Sequence, residues 1–153
     1  MGAYKEPHGG ELKDLYLKGK AVEEEKALAL DLPSWDLTMR QICDIELLLN
    51  GAFSPLEGFM VEEDYNGVLS DMRLASGVLW PMPITLDVTE EFAASIDVGG
   101  KIALRDQEGV LIATLAVESK FTPDKKAEAV AAFGSADEAH PAVHYLNNQA
   151  NNV

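Results

Sequence analysis

Two kinds of hydrophobic pattern run along the chain, and the change between them falls near Arg73. Upstream, apolar residues recur at helical spacing. Residues 20–31, KAVEEEKALALD, combine helix formers with an acidic patch at Glu23, Glu24 and Glu25, which predicts a helix with a solvated face. Pro33 ends it, because a proline pushes the residue before it out of the helical region. A second helix starts where Thr38 is followed three residues later by Gln41, the spacing of a capping box. Leu37 and Ile42 hold the staple positions around that cap. Ile42, Ile45 and Leu49 repeat at i, i+3 and i+7, with Met39 near the same face. Arg40 and Asp44 lie one turn apart and can pair, and Asn50 with Gly51 supplies a stop. Glu46 falls between Ile42 and Leu49 on this wheel, so it needs a hydrogen-bonded partner. It reads as a tuned acid or base, or as a paired structural carboxylate. The second is favoured, since no histidine or nucleophile is near in sequence.

Residues 52–60, AFSPLEGFM, predict a turn shaped by Pro55 and Gly58 and anchored by Phe53, Leu56, Phe59 and Met60. A further helix over 62–72 follows, with Glu62, Glu63 and Asp64 at its positive end. Tyr65, Val68, Leu69 and Met72 line one side of it. Beyond Arg73 the period shortens. LWPMPITLDV, with two prolines near its start, predicts an edge strand. KIALRDQEGVLIATLAV predicts a hairpin turning at Asp106 to Gly109. Its second arm, Val110 to Val117, is apolar on both faces, as a strand of a small closed barrel would be. Thr122 then caps a helix with Pro123 at its first position, and Gly134 stops it. The tail NNQANNV is polar and reads as a linker. No internal repeat is visible. The pattern as a whole is α+β, with helices first and then a mostly antiparallel sheet.

Composition narrows the picture. At 153 residues and 47% hydrophobic, the chain is one domain's worth, able to bury a core without disulfides. Its single cysteine, Cys43, fits a reducing compartment. The start MGAYKEPHGG lacks a signal peptide's apolar run and places Glu6 where a myristoylation signal needs Ser or Thr. No apolar run is long enough to span a bilayer, so the expectation is a cytoplasmic protein with no membrane contact. The formal charge of −14 repels phosphate backbones and anionic lipids, which argues against nucleic acid as a partner.

Candidate chemistry is sparse. His140 and His144 in HPAVH have the one-turn spacing of a helical metal pair, with Asp137 as an obvious third ligand. Pro141 between them and the lack of a following Glu favour surface or turn histidines. His8 in PHGGEL precedes two glycines whose amides could approach an anion, although a plain turn is the simpler use. Ser54 precedes a proline outside any G-x-S-x-G elbow and makes a poor nucleophile. Phosphate-loop, dinucleotide, C-x-x-C and H-E-x-x-H motifs are missing. No residue is assigned as catalytic, cofactor-binding or metal-ligating.

Five stretches nonetheless carry a resemblance: PHGGEL, LTMRQICDIELLLNGAFSPLEGFM, DYNGVLSDMRLASGVLWPMPITLDV, IALRDQEGVLIATLAVES and DEAHPAV. Together they resemble the N-terminal domain of the ATP sulfurylases, or sulfate adenylyltransferases, from about residue 7 to residue 146. Ala52 stands where that family would have glycine. The resemblance implies a PUA-like small β-barrel with N-terminal and flanking helices over 1–146, and over 147–153 the start of a linker to a catalytic domain absent from the chain. It also implies a nucleotidyltransferase that joins ATP and sulfate into adenosine 5′-phosphosulfate during sulfate assimilation, with Mg and ATP as needs of the complete enzyme and none bound by this part. The family's catalytic marks, a Q-x-R-N-P-x-H-x-x-H stretch and a G-R-D-H-A-G-type loop, do not occur in these 153 residues, so the chain alone is expected to be inactive. The expected partners are the missing catalytic domain and further copies of the complete enzyme. The alternative is a stand-alone PUA-like binding or subunit-assembly module.

Overall fold

Thr38 and Gln41 form the capping box that their spacing predicts: the Thr38 hydroxyl accepts from the Gln41 amide and the Gln41 side chain accepts from the Thr38 amide. In the computed structural model, which describes residues 5–149, 151 and 153, this box opens the longest helix. In chain order the elements are α1 (Lys20–Leu28), β1 (Ser34–Asp36), α2 (Met39–Leu49), α3 (Glu62–Asp71), α4 (Glu90–Ser95), β2 (Lys101–Arg105), β3 (Leu111–Ala116), α5 (Lys125–Phe133) and α6 (Pro141–Asn147). They divide into two compact units. One takes the chain up to Phe59 together with Lys101–Ala116; the other takes Met60–Gly100 and the chain from Val117 onward.

The first unit is a three-stranded sheet with α1 and α2. Its order is β1-β2-β3, with β1 parallel and β3 antiparallel to the central β2. β1 was not legible in the sequence, because three residues are too few for a period. The hairpin is where it was expected: Asp106 Oδ1 accepts from the amides of Glu108 and Val110 and closes the turn. Ile102, Ala103 and Leu104 are buried in succession. The strand covered on both faces is therefore β2, paired on each side, and not the second arm, whose Ile112 is exposed. The sheet is open, in place of the expected closed barrel.

On α2 the buried positions are Gln41, Ile45 and Leu48. The apolar face is thus rotated from the predicted stripe: Met39 and Glu46 are exposed, and Glu46 needs no buried partner. α1 ends at Leu28, short of the predicted 31.

The second unit differs more from expectation. α3 buries Tyr65 and Val68 as predicted, but Met72 is its C-cap, exposed and in the left-handed region at φ 53°. LWPMPITLDV forms no continuous strand: Pro81 and Pro83 have no N–H to give a ladder, and the segment has one isolated bridge, Arg73 to Leu79. α4, unpredicted, is capped by Thr89. α5 is capped by Asp124, which accepts from the Lys126 and Ala127 amides, so Pro123 precedes the cap and Thr122 plays no part in it. A carboxylate is the stronger acceptor for these amides. Gly134 stops α5 at φ 72°, as predicted. α6 occupies HPAVH and buries Val143 and Leu146 against Ala129 of α5, with Phe133 packed beside them. Two residues of the polar tail reach back along the chain. Asn151 donates to the Asp87 carbonyl, and Val153 exchanges backbone hydrogen bonds with Val88 at 2.7 and 3.2 Å.

Gln41→Leu removes the fully buried acceptor shared by the Thr38 amide and the Trp35 indole; unfolding stability in urea should fall by about 1–3 kcal/mol. Glu46→Ala on the same helix should change it by less than about 0.5 kcal/mol. Equal effects of the two would show that the rotated face is wrong.

Candidate functional site

Two of the distinctive stretches, PHGGEL and NGAFSPLEGFM, meet in the first unit. The Ser54 hydroxyl accepts from the Lys13 amide at 3.0 Å and donates to the Gly51 carbonyl at 2.6 Å. The Leu15 amide donates to the Leu49 carbonyl at 3.0 Å. Residues 9–15 therefore lie as a strap along the end of α2 and the turn after it. Gly51 sits at φ 81°, and a Cβ there would come within 2.8 Å of Leu12 Cδ1 and 2.9 Å of the Lys13 carbonyl. Glycine is needed for the conformation and for the approach. A Cβ on Gly9 would meet Pro55 at 2.8 Å. The Lys13 ammonium reaches Glu57 at 2.6 Å and Glu11 at 3.1 Å, and these carboxylates, Glu57 first, raise its pKa.

With its oxygen on one backbone group and its proton on another, Ser54 is a structural hydroxyl, only 3% exposed. His8 belongs to the same loop, where the Gly10 amide turns back to the Pro7 carbonyl. The strap and turn form a clasp that holds two chain segments 41 residues apart. Ser54 holds backbone on both sides of the clasp, and Lys13 ties its ammonium to two carboxylates.

A second cluster in this unit was hidden in the acidic run. Glu23 pairs with Lys26 at 3.3 Å and Glu24 with Lys20 at 2.7 Å on the exposed side, as a solvated face would. Glu25 instead turns to the sheet and accepts from the Lys101 ammonium and, at 2.7 Å, from the Thr114 hydroxyl. Lys101 first, then Thr114, holds its carboxyl below the ordinary value, against the opposing effect of desolvation. The ion pair joins α1 to β2 across 76 residues, a distance over which no sequence period operates. Arg40 and Asp44 pair at 2.7 Å as predicted, and Cys43 is exposed on the same helix.

In the second unit the Tyr65 hydroxyl donates to Glu128 at 2.7 Å and its ring lies 4.9 Å from that of Phe121. Burial, then the Glu128 carboxylate, pushes the phenol pKa far up and keeps the proton in place. The candidate metal group is put to other uses. His140 caps α6, its Nδ1 accepting from the Ala142 amide at 3.3 Å, and stacks on Phe133 at 5.8 Å. His144 Nδ1 lies 3.3 Å from the Asn148 side chain, and Asp137 Oδ1 accepts from the Ala139 amide. Among the described residues no three His, Cys, Asp or Glu side chains are gathered as metal ligands, and no helix is long and apolar enough to cross a membrane.

Residues 5–153 match the PUA-like domain family. The chain belongs to that family. The PUA-like domain is 50% identical to the sulfate adenylyltransferase of Eremothecium gossypii over 149 residues, which is 96% of the chain but 29% of that relative. It is 50% identical over 150 residues to that of Mycosarcoma maydis, covering 95% of the chain and 26% of the relative. The sulfate adenylyltransferase of Saccharomyces cerevisiae is 48% identical over 147 residues, 94% of the chain and 29% of the relative. The match is to the N-terminal region of these fungal proteins. The chain thus spans less than a third of the length of these curated relatives. Among solved structures, the hexameric APS kinase from Thiobacillus denitrificans is similar with a TM-score of 0.71 at 39% identity, over 78% of this chain and 24% of that one.

Because the Glu25 pKa is lowered on folding, its stabilising contribution is present above the ordinary value of 4.5 and is lost as pH falls through the lower folded value. Glu25→Gln should therefore destabilise the domain at neutral pH, and the gap from wild type should close below that value. Urea midpoints measured across the acid range test this. A gap independent of pH would remove the ion pair from the account.

Proposed function

We propose that this PUA-like domain is the N-terminal part of a sulfate adenylyltransferase and supplies scaffold, with the catalytic groups carried elsewhere in the complete enzyme. The carrying observation is identity of 50% along 96% of the chain to a protein of which it covers only 29%. The clasp of strap and turn fits this reading, since Ser54 holds backbone on both sides and Lys13 is tied to Glu57 and Glu11. In the complete enzyme a sulfate oxygen attacks the α-phosphate of ATP and Mg-bound pyrophosphate leaves, a reaction that needs positive groups around two polyanions. A chain with 26 acidic and 12 basic residues is poorly suited to provide them. Mg and ATP belong on this view to the remainder of the enzyme, which works in the cytoplasm in sulfate assimilation and assembles as a homo-oligomer.

The test is a chimera in which this chain replaces the matching region of the Saccharomyces cerevisiae relative. The chimera should form adenosine 5′-phosphosulfate, and the 153-residue chain alone should form none. A folded chimera without turnover, or turnover by the isolated chain, would overturn the proposal.

A subunit-assembly role is the second reading, supported by the likeness to a protein described as hexameric. Sedimentation of the isolated domain distinguishes the two: self-association supports assembly through this domain, and a monomer at all concentrations assigns it to other parts of the enzyme.

A further inference from the structure

Asparagine precedes glycine at two places, Asn50–Gly51 and Asn66–Gly67. Such pairs are open to attack by the glycine nitrogen on the asparagine side-chain carbon, because glycine offers no side chain to obstruct ring closure. The new C–N bond forms as the Cγ–Nδ2 bond breaks. Hydroxide takes up the glycine N–H proton, water returns a proton to the departing nitrogen so that it leaves as ammonia, and a further water opens the cyclic imide to aspartate or isoaspartate. The second pair lies inside α3, where helical backbone holds it. The first lies at the end of α2, with Asn50 exposed to water.

The fold opposes the reaction at Asn50 in three ways. Its ψ of 0° keeps the Gly51 nitrogen turned from Cγ, so ring closure requires the backbone to rotate. The Gly51 N–H, whose proton must be lost, donates to the Leu48 carbonyl at 3.2 Å. The Asn50 Oδ1 accepts from the Ala52 amide at 2.9 Å, which fixes the side chain. Rotation at Asn50 also moves Gly51, which packs so closely that a Cβ would collide with Leu12 and the Lys13 carbonyl, and whose own carbonyl is held by Ser54. The strap of residues 9–15 therefore bears on the same bond.

We propose that Asn50–Gly51 is a latent deamidation site, kept silent by the clasp and exposed to reaction when the clasp opens. Aspartate at position 50 places an anion at the negative end of α2. Isoaspartate adds a methylene to the main chain just where Gly51 fits against the strap. Either product weakens the contact that had suppressed the reaction, so modified molecules lose the strap. This inference does not depend on the proposed enzymatic role.

The test is peptide mapping by mass spectrometry of the 153-residue protein held at mildly alkaline pH, with and without urea. Circular dichroism establishes that the sample without urea is folded. Conversion at Asn50 should be slower in the folded protein by roughly tenfold or more, because it must proceed through local opening. The same factor should appear as hydrogen-exchange protection of the Gly51 amide in the wild-type protein. Ser54→Ala, which removes the Lys13 and Gly51 hydrogen bonds, should bring the folded rate toward the urea rate. Equal rates in folded and urea samples, or retardation that does not follow Gly51 protection, would overturn the proposal, whether or not the Ser54 variant folds.

Discussion

Gln41 has no exposure to solvent, so its polar atoms must be paired inside the protein. Its Oε1 takes the Thr38 amide at 2.9 Å and the Trp35 indole at 3.3 Å. One side chain thereby fixes where α2 begins and holds β1 to it. Leu37, fully buried between these two elements, donates its amide to the Arg105 carbonyl at 2.7 Å and extends the β1–β2 pairing to the edge of the helix. β1 has only three residues, too few to persist as an isolated strand. It is kept in register by the helix cap on one end and β2 along its length. The remaining ties of the first unit, Glu25 to Lys101 and the strap to the turn, join elements whose positions this constraint has already set.

What could be read from the sequence was what local rules govern. Thr38–Gln41 is a three-residue spacing with a defined geometry, and it occurs as predicted. The hairpin turn at Asp106–Gly109 and the Gly134 stop follow from backbone conformations that few residues accept. The failures have a common source in burial, which depends on parts of the chain far away. The helical period centres the apolar face of α2 on Ile42 and Leu49 and draws Glu46 into it. Placing Gln41 at the centre of the buried face turns the helix and releases both Met39 and Glu46 to solvent. Glu25 shows the reverse case, where a residue in an acidic run has a partner 76 positions away.

The histidines illustrate how a one-turn spacing also arises from helix capping. His140 and His144 are one turn apart because the first caps the helix on which the second lies. An imidazole nitrogen can accept from a helix amide as a carboxylate or hydroxyl does. Pro141 at the first helical position, which weakened the metal reading, is the residue best suited to follow a cap. The same residues thus make a helix start. With Asp124 for α5 and Thr89 for α4, each cap sits beside acidic or polar neighbours that a hydrophobic period does not report.

The distinctive stretches of this chain are distinctive for packing reasons. PHGGEL and NGAFSPLEGFM hold glycine, proline and serine at positions where a side chain would collide or a backbone group would lack a partner. Gly9 leaves room for Pro55, Gly51 for Leu12 and the Lys13 carbonyl, and Ser54 satisfies one donor and one acceptor of the main chain. A binding loop uses glycines so that backbone amides can reach a ligand; this clasp uses them so that backbone can reach backbone. The two uses leave the same mark in a sequence. They part company in the structure, where each group of the Ser54 side chain faces another part of the protein. Motifs whose residues are fixed by close backbone packing can therefore identify kin in detail without naming a reaction.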